Sequence, residues 1–173
     1  MGVQAASSPD TEAVQAESPA WVKGRSAHRL ASVASMSPEV DKATGTPLIR
    51  KLGLRPGMAA AFLDAPADFA SSLGELPDGV APVAELRSHV DLVVCFVTER
   101  EALAERLEPL REAIRPAGMA WIAWPKRASK VPTTITEDVV RELALPLGLV
   151  DVKVCALDAV WSGLKLVLRR ELR

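Results

Sequence analysis

The side chains best suited to chemistry lie in WIAWPKRASK, residues 121–130, where an apolar run meets Pro125 and then Lys126, Arg127, Ser129 and Lys130. Thr133 and Thr134 follow three residues on. Lysine brings a point charge, arginine a planar fork, and the hydroxyls hydrogen-bond donors. With the free amides of a helix start at Thr134, this set suits an anion. The same residues also suit a solvated loop whose cations balance nearby acids. Trp121 and Trp124 stand three apart, so in a strand they point to opposite faces. Trp124, nearer the strand end, is the better pocket wall. Trp161 sits in DAVWSGLK close to Asp158. It covers a ligand, meets a partner or plugs a hairpin, and the sequence leaves these open.

Other chemistries have less behind them. There is no Gly-x-Ser-x-Gly elbow, and His28 and His89 have no partner at a useful spacing. Asp64 and Asp158 can act as an acid–base pair only if the fold brings them together. Cys95 and Cys155 lie in the apolar runs LVVCFV and VKVCAL. They read as buried free thiols, and no spacing of Cys and His suggests a metal. The catalytic residues and the cofactor stay unassigned.

The elements that must position these residues follow from periodicity. Residues 47–52 form a short helix that Gly53 ends. Residues 58–63 are a buried strand ending at Asp64, 67–73 a weak helix, and 80–86 a short strand weakened by Pro82. Residues 90–97 are the clearest strand. Thr98 and Glu101 then make a capping box for a helix carrying Leu103, Leu107, Leu110 and Ile114, which Pro109 should kink or split. Residues 119–124 are the next strand. Thr134 and Glu137 make a second capping box, with Gly148 as the stop. Residues 149–157 and 164–169 close the chain as an antiparallel hairpin across a turn at 158–163.

This order predicts an α/β fold: a mostly parallel sheet, helices on both faces, and a C-terminal antiparallel hairpin. It resembles the Rossmann-like arrangement of class I methyltransferases, and the turn Arg115-Pro116-Ala117-Gly118 resembles the Pro-Gly-Gly turn of that class. In such sheets ligands sit beyond the carboxyl ends of the strands. Here those ends are Asp64, Thr98, Trp124 to Lys126, and Asp158. The expected ligand-binding set is therefore Asp64, Thr98, Trp124, Lys126, Arg127, Ser129, Lys130, Thr134, Asp158 and Trp161. The resemblance has one clear departure. A glycine-rich turn should follow the first strand so that the cofactor can approach the backbone, and the chain reads FLDAPADF there. Glu85 stands where an acid can hold a ribose, and a surface carboxylate explains it equally well.

Composition bounds the rest. The 173 residues suit one domain plus a tail, and 49% hydrophobic with 25% charged residues is ordinary for a globular chain. A net charge of −1 provides no field for nucleic acid. No apolar run reaches the ~20 residues of a membrane span. Residues 1–44 are rich in Ala, Ser, Glu and Pro and read as a disordered tail, with Met36 as an alternative start. Residues 45–173 then form a single domain.

Three longer segments, GTPLIRKLGLRPG (45–57), WIAWPKRASKVPTTITEDVV (121–140) and GLVDVKVCALDAVWSGLKLV (148–167), together resemble the bacterial family called domain of unknown function 3052. The resemblance covers residues 45–173. It implies a bacterial, cytoplasmic protein and carries no activity. Two functional readings follow. One is a non-catalytic binding or regulatory protein that takes an anionic small molecule or a protein partner at the strand ends. The other is a divergent S-adenosylmethionine-dependent methyltransferase or another nucleotide-dependent enzyme.

Overall fold

The computed structural model describes residues 45–83 and 86–173. The tail expected over 1–44 and the acid at position 85 lie outside these. Among the described residues, helices α1 (Leu48–Leu52), α2 (Phe69–Leu73), α3 (Arg100–Ala113) and α4 (Glu137–Ala144) surround a six-stranded sheet. Its strands are β1 (Ala59–Leu63), β2 (Ala81–Val83), β3 (Leu92–Phe96), β4 (Met119–Pro125), β5 (Leu149–Ala156) and β6 (Trp161–Leu168). The order across the sheet is β2-β1-β3-β4-β6-β5. The first four strands pair in parallel, and β6 runs antiparallel between β4 and β5. The expected α/β fold, with its mostly parallel sheet and C-terminal hairpin, is what the chain adopts.

Alternation along each strand divides the core into two layers. Ala60, Phe62, Leu92, Val94, Phe96 and Trp121 face α1 and α2, against Leu48, Leu52, Phe69 and Leu73. Ala61, Val93, Cys95, Ile122, Trp124, Leu164 and Leu166 face α3 and α4, against Leu103, Leu107, Leu110 and Val140. Trp121 and Trp124 thus point to opposite faces. Trp121 is fully buried, and its indole N–H donates to the Leu52 carbonyl at 3.0 Å. That bond ties α1 to the central strands. Gly118, just before β4, has no room for a side chain: a Cβ there would stand 2.3 Å from the Val90 carbonyl.

Four local expectations need correction. Thr98 does not cap α3; the N-cap position is Glu99, without a side-chain bond. The amide of Arg100 instead donates to the Thr134 hydroxyl oxygen at 2.7 Å, on a segment 34 residues away. Thr134 accordingly does not cap α4, where Thr136 accepts from Val139 N–H. A capping box is a local pattern, and here a tertiary contact supplies the same acceptor. Pro109 neither splits nor ends α3, which runs through it to Ala113. Pro109 and Glu105 are both exposed, so water can take up the carbonyl that a proline leaves without a donor. Finally, β6 begins at Trp161 rather than at 164, because Asp158 closes the turn early.

Candidate functional site

The carboxyl edge of the parallel strands carries three groups of residues. The first follows β1. Asp64 adopts a left-handed conformation, with φ 49°, and its carboxylate pairs with Arg106 of α3. Left-handed backbone is a glycine-like state, so asparagine and aspartate are the side chains that tolerate it best. Ala65 is buried directly behind it. Arg106 also hydrogen-bonds Cys95, which is fully buried in β3. Burial pushes the Cys95 thiol up to about 11; the Arg106 charge opposes this and the Asp64 charge adds to it. Cys95 is therefore a protonated core residue and not a nucleophile. Cys155 is free and half-buried, a wetter position than its apolar run suggests.

The second group is an aromatic row on the α1–α2 side. Phe62 and Phe69 lie 5.7 Å apart, Phe69 and Phe96 4.8 Å, and Phe96 and Trp161 5.0 Å, the last two pairs edge to face. Phe62, Phe69 and Phe96 are buried. The row closes the edge with packed rings from β1 across to β6. Trp161, half-buried at the start of β6, is its outer end and packs as a hairpin plug against Phe96.

The third group is the loop after β4, where most expected site residues fall. Lys126 donates from its ammonium to the Asp158 carbonyl, and its amide donates to Val160 O at 2.7 Å. The Asp158 carboxylate accepts from Val160 N–H and Trp161 N–H, each at 2.7 Å. Ser129 donates its hydroxyl to the Lys126 carbonyl at 2.6 Å. The Thr98 carbonyl accepts from Thr134 N–H at 2.9 Å and from the Thr133 hydroxyl at 2.7 Å. The polar groups of this loop thus hold its own backbone in shape. Arg127 and Lys130 differ: both are exposed, and among the described residues neither side chain has an ionic or hydrogen-bonding partner.

The fold brings together Lys126, Ser129, Asp158 and Trp161 on one side of the loop, and Thr98 and Thr134 on the other. Three expectations change. Trp124 is only 8% exposed and belongs to the core beside α3 and α4, so it walls no pocket. The start of α4 is not an open anion site, because Thr136 caps it and Glu137 and Asp138 stand in its first turn. Asp64 and Asp158 do not form an acid–base pair. Asp64 ends β1 and Asp158 lies in the turn between β5 and β6, three to four strand spacings away, roughly 14–19 Å, and each carboxylate is already engaged.

Sequence reasoning missed Arg106, whose partners Asp64 and Cys95 lie on other elements. A charged residue at the inner margin of an amphipathic helix is the signal that could have found it. Away from this edge, a depression of about 280 Å³ is lined by Leu86, Arg87, Ser88, Pro109, Glu112 and Ala113. It lies at the amino ends of the strands, opposite the edge where ligands of such folds sit. Among the described residues no cluster of His, Cys, Asp and Glu can hold a metal, and no helix is long and apolar enough to cross a membrane.

No protein-family model matches the chain, and no curated protein matches it in sequence. Solved structures do match in shape. A possible exported protein from Bordetella parapertussis superposes with a TM-score of 0.50 at 13% identity, over 69% of this chain and 65% of that one. A SAM-dependent methyltransferase from Aquifex aeolicus superposes with a TM-score of 0.50 at 17% identity, over 69% of this chain and 86% of that one. The chain thus spans just under two thirds of the Bordetella protein. Identities this low speak to the fold alone, and the fold is methyltransferase-like.

Proposed function

We propose that this chain is a non-catalytic binding or regulatory protein on a methyltransferase-like scaffold, and that it recognises an anionic small molecule or a protein partner at the carboxyl edge of its sheet. The observation that carries this reading is the closed loop after β1. A nucleotide-type cofactor needs close approach to backbone there, usually over glycine. This chain has Asp64-Ala65-Pro66 instead, with Asp64 engaged by Arg106 and Ala65 buried. The aromatic row fills the neighbouring space. The surface left for a ligand is the rim of the β4 loop, where Arg127 and Lys130 project with Lys126, Ser129, Thr134 and Asp158 as their frame. The likeness to the domain of unknown function 3052 family, and with it a bacterial cytoplasmic setting, belongs to this proposal and rests on the three segments quoted above.

The second reading, a divergent S-adenosylmethionine-dependent methyltransferase, is favoured by the shape shared with the Aquifex enzyme. A thermal-shift panel separates the two. A ligand at 100 times its dissociation constant adds about 2.7 kcal/mol to stability. Stabilisation by phosphate or by carboxylate anions that Arg127→Ala and Lys130→Ala abolish supports the binding reading. Stabilisation by S-adenosylmethionine or S-adenosylhomocysteine supports the second and removes the first.

A further inference from the structure

A second cationic surface lies on the sheet face that carries α1, away from the β4 loop. Lys165 of β6 stands directly opposite Lys153 of β5 in the antiparallel ladder. Directly opposed residues have Cβ atoms about 5 Å apart, and like charges in that position destabilise a sheet. On its other side Lys165 is registered with Trp121, the buried anchor of α1. Alternation puts Lys153, Lys165 and Trp121 on one face. Arg55, just after α1, is close enough to act on Lys165 electrostatically. Lys51 of α1 reaches the Ala156 carbonyl at 3.5 Å, at the end of the same edge strand.

No acid answers these cations among the described residues: none of Lys51, Arg55, Lys153 and Lys165 takes part in an ion pair. Asp151, the nearest carboxylate along β5, sits on the opposite face and binds Arg141 at 3.0 Å. Lys153 and Arg55 are exposed, and Lys165 is half-buried. Burial first, and then Lys153 and Arg55, push the Lys165 ammonium below the ordinary lysine range. Splaying two long side chains relieves part of the repulsion at Lys153. It relieves less at Lys165, whose stem is flanked by β4 and β5. Two like charges held in register with no acid between them leave room for a ligand that supplies the missing negative charge.

We propose that Lys153, Lys165 and Arg55, with Lys51 at the rim, form a binding site for a small anion carrying two or more adjacent phosphate groups. Three or four cations confined to two strands and one helix end match several negative charges on a compact ligand. Lysine ammonium groups act as point charges toward phosphate, and Arg55 adds a planar fork. The site is separate from the β4 loop and does not depend on the function proposed for it.

The test is a titration of the full chain with inorganic pyrophosphate at constant ionic strength, read as the thermal midpoint. The site predicts a saturable rise of about 4 °C or more, with orthophosphate clearly weaker. Lys153→Glu should fold, since Lys153 is exposed on an edge strand; it should be more stable than the parent without ligand and insensitive to pyrophosphate. Lys165→Gln should lose the response as well, while Arg127→Ala with Lys130→Ala keeps it. The proposal is overturned by a rise no larger than sodium chloride gives at equal ionic strength. It is equally overturned by a response that survives Lys153→Glu, by one that disappears in the Arg127 and Lys130 variant instead, or by a short oligonucleotide binding where pyrophosphate does not.

Discussion

The loops after β1 and β4 leave the same edge of the sheet but are built differently. The β1 loop is short and closed by side chains: Asp64 pairs with Arg106, Ala65 is buried, and rings pack beside it. The β4 loop is longer and is held by backbone: carbonyls of Lys126, Thr98 and Asp158 accept from its own polar side chains. The first is packed by side chains behind an exposed Asp64, and the second presents Arg127 and Lys130 to solvent. In a methyltransferase-like sheet the β1 loop is where a cofactor approaches the backbone. The contrast teaches that one sheet edge can carry a loop packed by side chains beside a loop whose cations Arg127 and Lys130, unpartnered among the described residues, face solvent.

The contrast can be broken most forcefully at Asp158. Its carboxylate satisfies two amides, so Asp158→Ala should lower unfolding free energy by about 2 kcal/mol, measured by chemical denaturation. It should also free the Lys126 ammonium by loosening the turn. Thr134→Val removes the hydroxyl that serves α3 and should cost about 1 kcal/mol, with early fraying of α3 seen by hydrogen exchange. If it costs nothing, the loop is not anchored as described.

The β1 side should respond less. Arg106→Met breaks a partly exposed pair, and solvent screening holds the loss below about 1 kcal/mol. Cys95 gives this side a pH signature. Its folded value is raised from the ordinary 9.0 to about 11, so the unfolded chain loses that proton first. Stability should fall as pH rises from 9.0 toward 11, and Cys95→Ala should remove that slope. The smallest effects belong to the exposed cations. Arg127→Ala and Lys130→Ala should each stay within about 0.5 kcal/mol of the parent, even where they abolish an anion response. A large stability change at either would mean that these residues hold the loop rather than face a ligand.

Much of the frame was legible from periodicity. Trp121 and Trp124 point to opposite faces because a strand alternates, and Gly148, in the left-handed conformation at φ 75°, ends the 3-10 turn Leu145–Leu147 that follows α4 rather than α4 itself. The closing hairpin followed from two apolar segments across a short turn. What escaped depends on register and on distant contacts. Thr98 and Thr134 each carry a local capping pattern, yet the true acceptor for α3 comes from a segment 34 residues away. Arg106 meets Asp64 and Cys95 only once α3 lies on the sheet. Lys165 was visible as a polar position in an alternating strand, but its opposition to Lys153 depends on an irregularity between Asp151 and Lys153 that shifts the pairing. The residues expected to bind an anion do gather in the β4 loop, and most of them are its internal fastenings.

With Asp64 paired to Arg106 and Ala65 buried, the proposed function requires that the β1 edge does not take a nucleotide cofactor. Calorimetric titration of S-adenosylmethionine into the full chain tests it most directly. No saturable heat is expected up to about 1 mM ligand. Saturable one-to-one binding with a micromolar dissociation constant, weakened by substitution of Asp64, would contradict it.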